Sequence, residues 1–254
     1  MNRSFNIVRY SDGRLSPAQD LLSVEEPLLV LLNGKPFATL MRTPGEDQAL
    51  TEGFLFSEGI IAKPEDVSNI EVRQHETSQE IRVELAPHCH PSETAPRSIY
   101  LSSSCGVCGR SSIEELTNRL EPIAPMDVSP EFLLGLLSSF IKGQRQFPLT
   151  GGVHAAALFD AEANLLSIEE DVGRHNALDK LIGKAFRAGD LPLSDCILLM
   201  SSRASFDIVQ KAAMAGIPVL ASMGAASSLA ADLAKASGIA LYCFLRGSSV
   251  VNLR

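Results

Sequence analysis

Between residues 155 and 245 the chain alternates short apolar runs with helix-like segments, and this alternation restricts its possible folds more than any other feature. Apolar runs at 155–159, 165–168, 196–200, 219–222 and 240–245 are short enough for strands. Segments at 131–142, 175–188, 206–215 and 227–236 have helical length and spacing. Strands interleaved with helices predict a largely parallel sheet covered on both faces, an α/β architecture. The first half reads differently. Residues 26–43 form a predicted hairpin around Asn33-Gly34, a pair suited to a type I′ turn. Pro44-Gly45 ends it, and a helix is expected over 47–57. Strands follow at 70–73, 81–85 and 98–101, with a Pro- and Ser-rich loop over 86–97 and a short helix at 113–120. Pro122, Pro125 and Pro130 mark a boundary. The expected organisation is therefore a smaller N-terminal α+β domain (1–125) and a C-terminal αβα domain (126–254).

Composition narrows the partners. The formal net charge is −8 and no Lys/Arg-rich run occurs, which argues against nucleic acid and against an anionic membrane surface. No apolar run reaches the length of a membrane span. The N-terminus is polar, carries Arg3 and Arg9, and lacks the apolar stretch of a signal peptide. Cysteines at 89, 105, 108, 196 and 243 are an odd, sparse set, so no disulfide framework is expected and a reducing, cytoplasmic setting is.

The segment Ser102-Ser103-Ser104-Cys105-Gly106-Val107-Cys108-Gly109-Arg110 is where chemistry is expected. Two thiols at this spacing can be a redox couple, half of a metal site, or a nucleophile with a helper. Structural zinc needs two more ligands; His88-Cys89-His90 lies upstream, but its spacing is unlike the usual second pair. A zinc deaminase would place Pro where Ser104 stands, after an H-x-E or C-x-E motif that is missing. A thioredoxin-like couple would open a helix after an early βαβ strand, whereas this pair follows an antiparallel-looking half. Two plainly buried thiols fit poorly among flanking serines and glycines. A nucleophilic thiol, its thiolate favoured by Arg110, fits these residues best, and no metal is expected.

Three connections suit a phosphate ligand. Ser201-Ser202-Arg203-Ala204-Ser205 and Ser222-Met223-Gly224-Ala225 each follow a predicted strand and open a helix; Arg246-Gly247-Ser248-Ser249 follows the last strand. Ligands collect beyond the carboxyl ends of parallel strands, where helix N-termini attract anions. Arg203 and Arg246 can add charge-assisted forks. The plainer reading makes Ser205 and Ser227 ordinary N-caps. His154, at the mouth of a strand, and His175, in the polar run Glu169-Glu170-Asp171-Val172-Gly173-Arg174-His175-Asn176 that opens a helix, face the same cleft together with Arg174 on the functional reading. On the plainer one they are structural histidines and Asp171 caps the helix. Neither a P-loop nor a GxGxxG fingerprint is present.

Taken together, RTPGEDQALTEGFLFSEGII (42–61), SSCGVCG (103–109), TGGVHAAAL (150–158), EDVGRHNALDKLIG (170–183) and SSRASFDIVQKAAMAGIP (201–218) resemble the formate dehydrogenase accessory sulfurtransferase family, FdhD. The resemblance runs over nearly the whole chain. It implies a cytoplasmic homodimer that accepts persulfide sulfur from a cysteine desulfurase. The sulfur then passes to the molybdenum (or tungsten) bis(molybdopterin guanine dinucleotide) cofactor, destined for formate dehydrogenase. It also implies a second domain like the cytidine deaminase fold without its zinc chemistry. Cys105 matches the persulfide-bearing cysteine and Cys108 the second cysteine of the pair. The family's cofactor-binding stretch falls on Phe244, Leu245, Arg246, Gly247, Ser248 and Ser249, with Ser249 standing where the family carries a second basic residue. Ser201, Ser202, Arg203, Ser205, His154 and His175 complete the expected site, and GDP is the expected mimic of the cofactor. A non-catalytic carrier that only escorts the cofactor, or a zinc-bound module, are the alternative readings.

Overall fold

Three groups of strands organise the chain, and a computed structural model describes them over residues 2–74, 79–89, 99–100 and 123–253. The first is a hairpin that the sequence analysis does not predict. β1 (Asn2–Ser11) pairs antiparallel with β2 (Arg14–Ser23) through Asp12-Gly13, both at positive φ (51° and 78°). Most of its side chains are exposed on both faces, so the usual alternation of apolar and polar residues is missing.

The second group is a five-stranded sheet of order β5-β6-β3-β4-β7. β3 (Glu26–Leu32) and β4 (Lys35–Arg42) form the predicted Asn33-Gly34 hairpin. Helix α1 (Asp47–Ser57) and a 3-10 turn (Pro64–Asp66) lead to β5 (Val67–Gln74) and β6 (Gln79–Leu85). β6 lies parallel to β3, and β7 (Ile99–Tyr100) parallel to β4. The predicted helix at 113–120 and most of the predicted loop at 86–97 lie outside the described residues.

The third group is a six-stranded sheet of order β13-β12-β11-β10-β8-β9. After α2 (Pro130–Gly143) and the short α3 (Phe147–Thr150) come β8 (His154–Phe159), β9 (Leu165–Asp171) and α4 (Arg174–Ala188). Then β10 (Ile197–Met200), α5 (Phe206–Met214), β11 (Val219–Ser222), α6 (Ser228–Ser237), β12 (Ala240–Arg246) and β13 (Ser249–Leu253) follow. The expectation of a largely parallel sheet needs correcting. Only β10, β11 and β12 are mutually parallel; β8, β9 and β13 pair antiparallel. Parallel pairing needs a crossover, which α5 and α6 supply. β8–β9 and β12–β13 are instead closed by tight turns: Asp160 Oδ1 accepts from Glu162 N and Asn164 N in the first, and Gly247 takes φ 57° in the second.

Alternate side chains of this sheet enter separate cores. Ile197, Leu199, Val219 and Ala221 pack with Leu133, Leu136 and Phe140 of α2, whose i, i+3, i+7 spacing presents one apolar stripe. Leu198, Met200 and Leu220 pack on the opposite face with Leu178 and Ile182 of α4. That second core continues through Leu50 and Phe54 of α1 into Leu28, Val30 and Ile81 of the five-stranded sheet. Three buried ion pairs pin its polar edge: Arg42 Nε to Asp47 (2.7 Å), Lys180 Nζ to Asp171 (2.8 Å) and Lys211 Nζ to Asp179 (2.9 Å). Arg42 also donates to Gln79 Oε1 on β6. No helix among the described residues is long and apolar enough to cross a membrane.

Candidate functional site

The carboxyl ends of β10, β11 and β12 lie at one end of the six-stranded sheet, and backbone hydrogen bonds join the loops beyond them into a single platform. Met223 N donates to Met200 O (2.9 Å), Gly224 N to Ser202 O (3.0 Å) and Ala204 N to Ala225 O (3.0 Å). Phe244 N donates to Gly224 O (3.1 Å), tying in the end of β12, from which the third loop leaves. Ser222 Oγ donates to Gly224 O (3.0 Å). Position 224 requires glycine: a Cβ there would lie 2.9 Å from Arg203 Cα. The three loops singled out in the sequence are thus neighbours in space.

Their side chains divide into several environments. Ser201 Oγ accepts from Ala155 N (2.8 Å) and lies 3.4 Å from His154 Nδ1. Ser202 is buried and donates to Arg203 O, whereas Arg203 is exposed. Phe244 adopts a left-handed backbone (φ 53°), is exposed, and carries the Arg246 guanidinium 5.5 Å above its ring. Gly247 and Ser248 form the exposed turn into β13, and Ser249 Oγ donates to Arg246 O. Leu245, also among the expected ligand residues, has its side chain fully buried in the core beneath α2. Strand alternation turns it inward while Phe244 and Arg246 turn outward.

Two serines placed alike behave differently. Ser227 caps α6, accepting from Ala230 N (3.2 Å). Ser205 occupies the N-cap of α5 without making the cap bond, and its buried Oγ has no hydrogen-bond partner among the described residues. The plain N-cap reading therefore holds for Ser227 and fails for Ser205.

The N-terminus of α4 borders the same end of the sheet, because His154 of β8 pairs with Asp171 of β9. Asp171 is not a simple helix cap. Its buried carboxylate accepts from Thr43 N (3.0 Å), Gly173 N (2.8 Å) and Asn176 Nδ2 (2.9 Å) beside the Lys180 pair. Asn176 also donates to Met41 O (2.7 Å). This network fastens the end of β4 to the first turn of α4 and so fixes Arg174 and His175. The His175 ring is held neutral: burial first, then Arg174, Lys211 and His154, push its pKa down to about 3. Burial and then Arg174 lower His154 as well, against the opposing pull of Asp171. Both rings are uncharged hydrogen-bonding groups at neutral pH; the positive character comes from Arg174, Arg203, Arg246 and the helix ends. Asp207, in the first turn of α5, approaches His175 (3.6 Å). Sequence reasoning misses Asp207, Thr43 and Lys211, and takes Asn176 only as part of the polar run that opens α4. An acidic residue two positions after a helix N-cap was the available signal for Asp207; the others depend on long-range contacts.

Cys105 and Cys108 lie outside the described residues. The chain leads to them from Tyr100, at the end of β7, which pairs with Thr39 and runs in the same direction as β4 towards Arg42. His88 Nε2 is hydrogen-bonded to Asp66 (3.1 Å), and Cys89 Sγ contacts Ile60 O (3.5 Å). Among the described residues no group of three or more His, Cys, Asp or Glu is arranged to hold a metal ion.

Comparison with known proteins agrees with this architecture. The profile of the FdhD/NarQ family matches residues 23–252. A protein from Streptomyces coelicolor named sulfur carrier protein FdhD is 49% identical over 255 aligned residues, covering 96% of this chain and 90% of the relative. A Mycobacterium tuberculosis protein of the same name is 45% identical, covering 91% and 88%. The crystal structure of a formate dehydrogenase accessory protein from Desulfotalea psychrophila shares the fold, with a TM-score of 0.78, 24% identity, and coverage of 100% of this chain and 96% of that one.

Proposed function

Since the chain belongs to the FdhD/NarQ family, we propose that it is a sulfur carrier in formate dehydrogenase maturation, with Cys105 as the sulfur-bearing thiol. In this reading the Cys105 thiolate attacks the outer sulfur of a persulfide on a cysteine desulfurase. The S–S bond of the donor breaks, its cysteine leaves as thiolate, and Cys105 becomes the persulfide. Cys108 is the second thiol of the pair. The outer sulfur then passes to the substrate, the bis(molybdopterin guanine dinucleotide) complex of molybdenum, before its insertion into formate dehydrogenase: the S–S bond on Cys105 breaks, Cys105 leaves as thiolate, and the metal of the substrate supplies the two electrons that turn sulfane sulfur into a sulfide ligand. The protein acts as a homodimer in the cytoplasm, and its C-terminal half is a cytidine-deaminase-like αβα unit put to dinucleotide binding.

One observation carries the nucleotide half of this reading: the loops after β10 and β11 and the end of β12 are hydrogen-bonded into one surface at the N-termini of α5 and α6. Free N–H groups at such ends favour phosphate. Arg203 and Arg246 are exposed there and can fork to phosphate oxygens, while the exposed Phe244 offers a ring for stacking. Ser201, Ser202, His154, Gly247, Ser248 and Ser249 border the same surface. The sulfur half is supported by connectivity. β7 runs towards the β4 end that Asp171 and Asn176 tie to the platform, and Cys105 follows Tyr100 by five residues.

Incubation with a desulfurase and cysteine, followed by intact-mass and peptide analysis, tests the assignment. A gain of about 32 Da, one sulfur atom, is expected on the peptide containing Cys105. Cys105→Ala should retain GDP binding and lose formate dehydrogenase activation; normal activation by that variant would refute the role of Cys105. Wild-type protein that binds GDP and supports activation without ever gaining sulfur would instead be an escort for the cofactor.

A further inference from the structure

The N-terminal hairpin carries apolar side chains that the described residues leave uncovered. Its strands reach about 30 Å from base to tip. The base is fixed: Ser23 Oγ lies 2.7 Å from Thr150 Oγ1, and α3 packs against β2. Towards the tip, Val8 faces Pro17 and Tyr10 faces Leu15 across the strands, so all four share one face. Val8, Tyr10 and Leu15 are 67%, 70% and 73% exposed, and Pro17 is exposed with them. Two more apolar side chains stand out beside the base, Phe147 (47%) and Leu149 (51%) of α3. The start of α3 is firmly held, because the Glu170 carboxylate accepts from Arg145 N (2.7 Å), Gln146 N (2.8 Å) and Phe147 N (2.9 Å).

A two-stranded hairpin with water on both faces is marginally stable by itself. Its cover must be present whenever the chain is folded, and a second copy of the chain meets that requirement. Area agrees with this occupant. Val8, Tyr10, Leu15, Phe147 and Leu149 leave on the order of 600 Å² uncovered, near the roughly 800 Å² that each partner contributes to a stable complex. Charge agrees as well. Residues 2–23 hold three arginines and two aspartates, net +1, so the remainder of the chain carries −9 of the total −8. The arm is therefore drawn to the body of a chain like its own. Arg9 pairs with Asp20 inside the hairpin (3.4 Å), whereas Arg14 stands exposed at the tip, and Glu25 and Glu26 are exposed at the base.

We propose that the hairpin is a dimerisation arm that docks on a second copy of the chain. Two arms lie antiparallel about a two-fold axis, so each tip reaches the base of the other arm. There Tyr10 and Leu15 cover the partner's Phe147 and the partner's Leu149, and Arg14 approaches the partner's Glu25. Such a contact uses the same patch on both copies and closes at two. The inference rests on the reading that the protein is a homodimer, and it names the surface that holds the copies together.

Sedimentation equilibrium of the full chain over about 0.1–100 μM tests it. The wild-type protein should be dimeric across this range. Tyr10→Ser/Leu15→Ser should raise the dimer dissociation constant about a hundredfold or more. Phe147→Ser/Leu149→Ser is the second variant; it leaves the hairpin itself intact and should weaken the dimer to a similar degree. Variants that dimerise as tightly as the wild type would overturn the arm and leave the homodimer reading standing. A wild-type protein that is monomeric throughout would overturn both, and the hairpin's cover would then be a different protein.

Discussion

Gly53 of α1 and Gly183 of α4 carry the two helices past each other in backbone contact. A Cβ on Gly53 would lie 1.9 Å from the carbonyl oxygen of Asp179, and one on Gly183 would lie 1.8 Å from that of Ala49. The obstructing atoms are backbone, so neither helix can yield by a rotamer change. This crossing joins the five-stranded sheet to the six-stranded one and sets Asp179 beside Ser57 and Lys211.

Alanine at either glycine should therefore separate the helices. The expected loss is about 3 kcal/mol, at the upper end for overpacking, because the clash is with main chain. Urea denaturation of Gly183→Ala checks this; a midpoint equal to that of the wild type would show that the helices adjust freely.

Lys211 is the counter-ion of the fully buried Asp179 and also lies 5.8 Å from the Phe54 ring centroid. Lys211→Met leaves a buried carboxylate with Ser57 as its one remaining side-chain partner among the described residues, at a cost of about 3–5 kcal/mol. The double variant Asp179→Leu/Lys211→Met should recover most of that loss, because no charge then remains buried. If the double variant is the weaker of the two in denaturant, the cost comes from packing rather than charge.

Acid should weaken the fold partly through His175. The native ring titrates at about 3, whereas an unfolded histidine titrates near 6.5. Below about pH 6.5 the unfolded chain binds a proton that the native protein refuses. The stabilisation is thus complete above that pH and is lost as pH falls towards 3, by up to about 1.4 kcal/mol per pH unit. His154, lowered in the same direction, adds to the effect. Comparing urea midpoints at pH 7 and pH 5, His175→Gln should lose less stability than the wild type; equal losses would mean that His175 is not the group responsible.

Gly224→Ala should disturb the platform more than the core. The added methyl meets Arg203 backbone at 2.9 Å and strains the Gly224–Ser202 and Phe244–Gly224 hydrogen bonds. A fall in GDP affinity of about tenfold or more is expected, corresponding to roughly 1.4 kcal/mol. Far-ultraviolet circular dichroism should be unchanged. Full affinity in this variant would place the nucleotide away from the stitched loops.

Features that depend on neighbours in sequence could be read without coordinates. The Asn33-Gly34 turn and the run β10–α5–β11–α6–β12 are of this kind, since local turn chemistry and periodicity define them. The three serine- and glycine-bearing loops were visible because each follows a strand directly. The Asp12-Gly13 turn carried a comparable signal, but its strands are exposed on both faces and show no alternation. It also precedes the region that matches the family profile. Buried Arg42, Lys180 and Lys211 run against the usual exposure of such residues, and only their partners on other elements explain them.

The amino-acid sequence by itself determined the α/β class, the strand-following loops and the family, because these follow from spacing, turn residues and motif order along the chain. Tertiary structure alone decided that Asp207 stands beside His175, that Thr43 anchors Asp171, and that the outer strands of the larger sheet are antiparallel. Those relationships join residues 32 to 128 positions apart or depend on which edge a strand takes. They arise from burial and hydrogen-bond satisfaction across the whole fold, which no local pattern encodes.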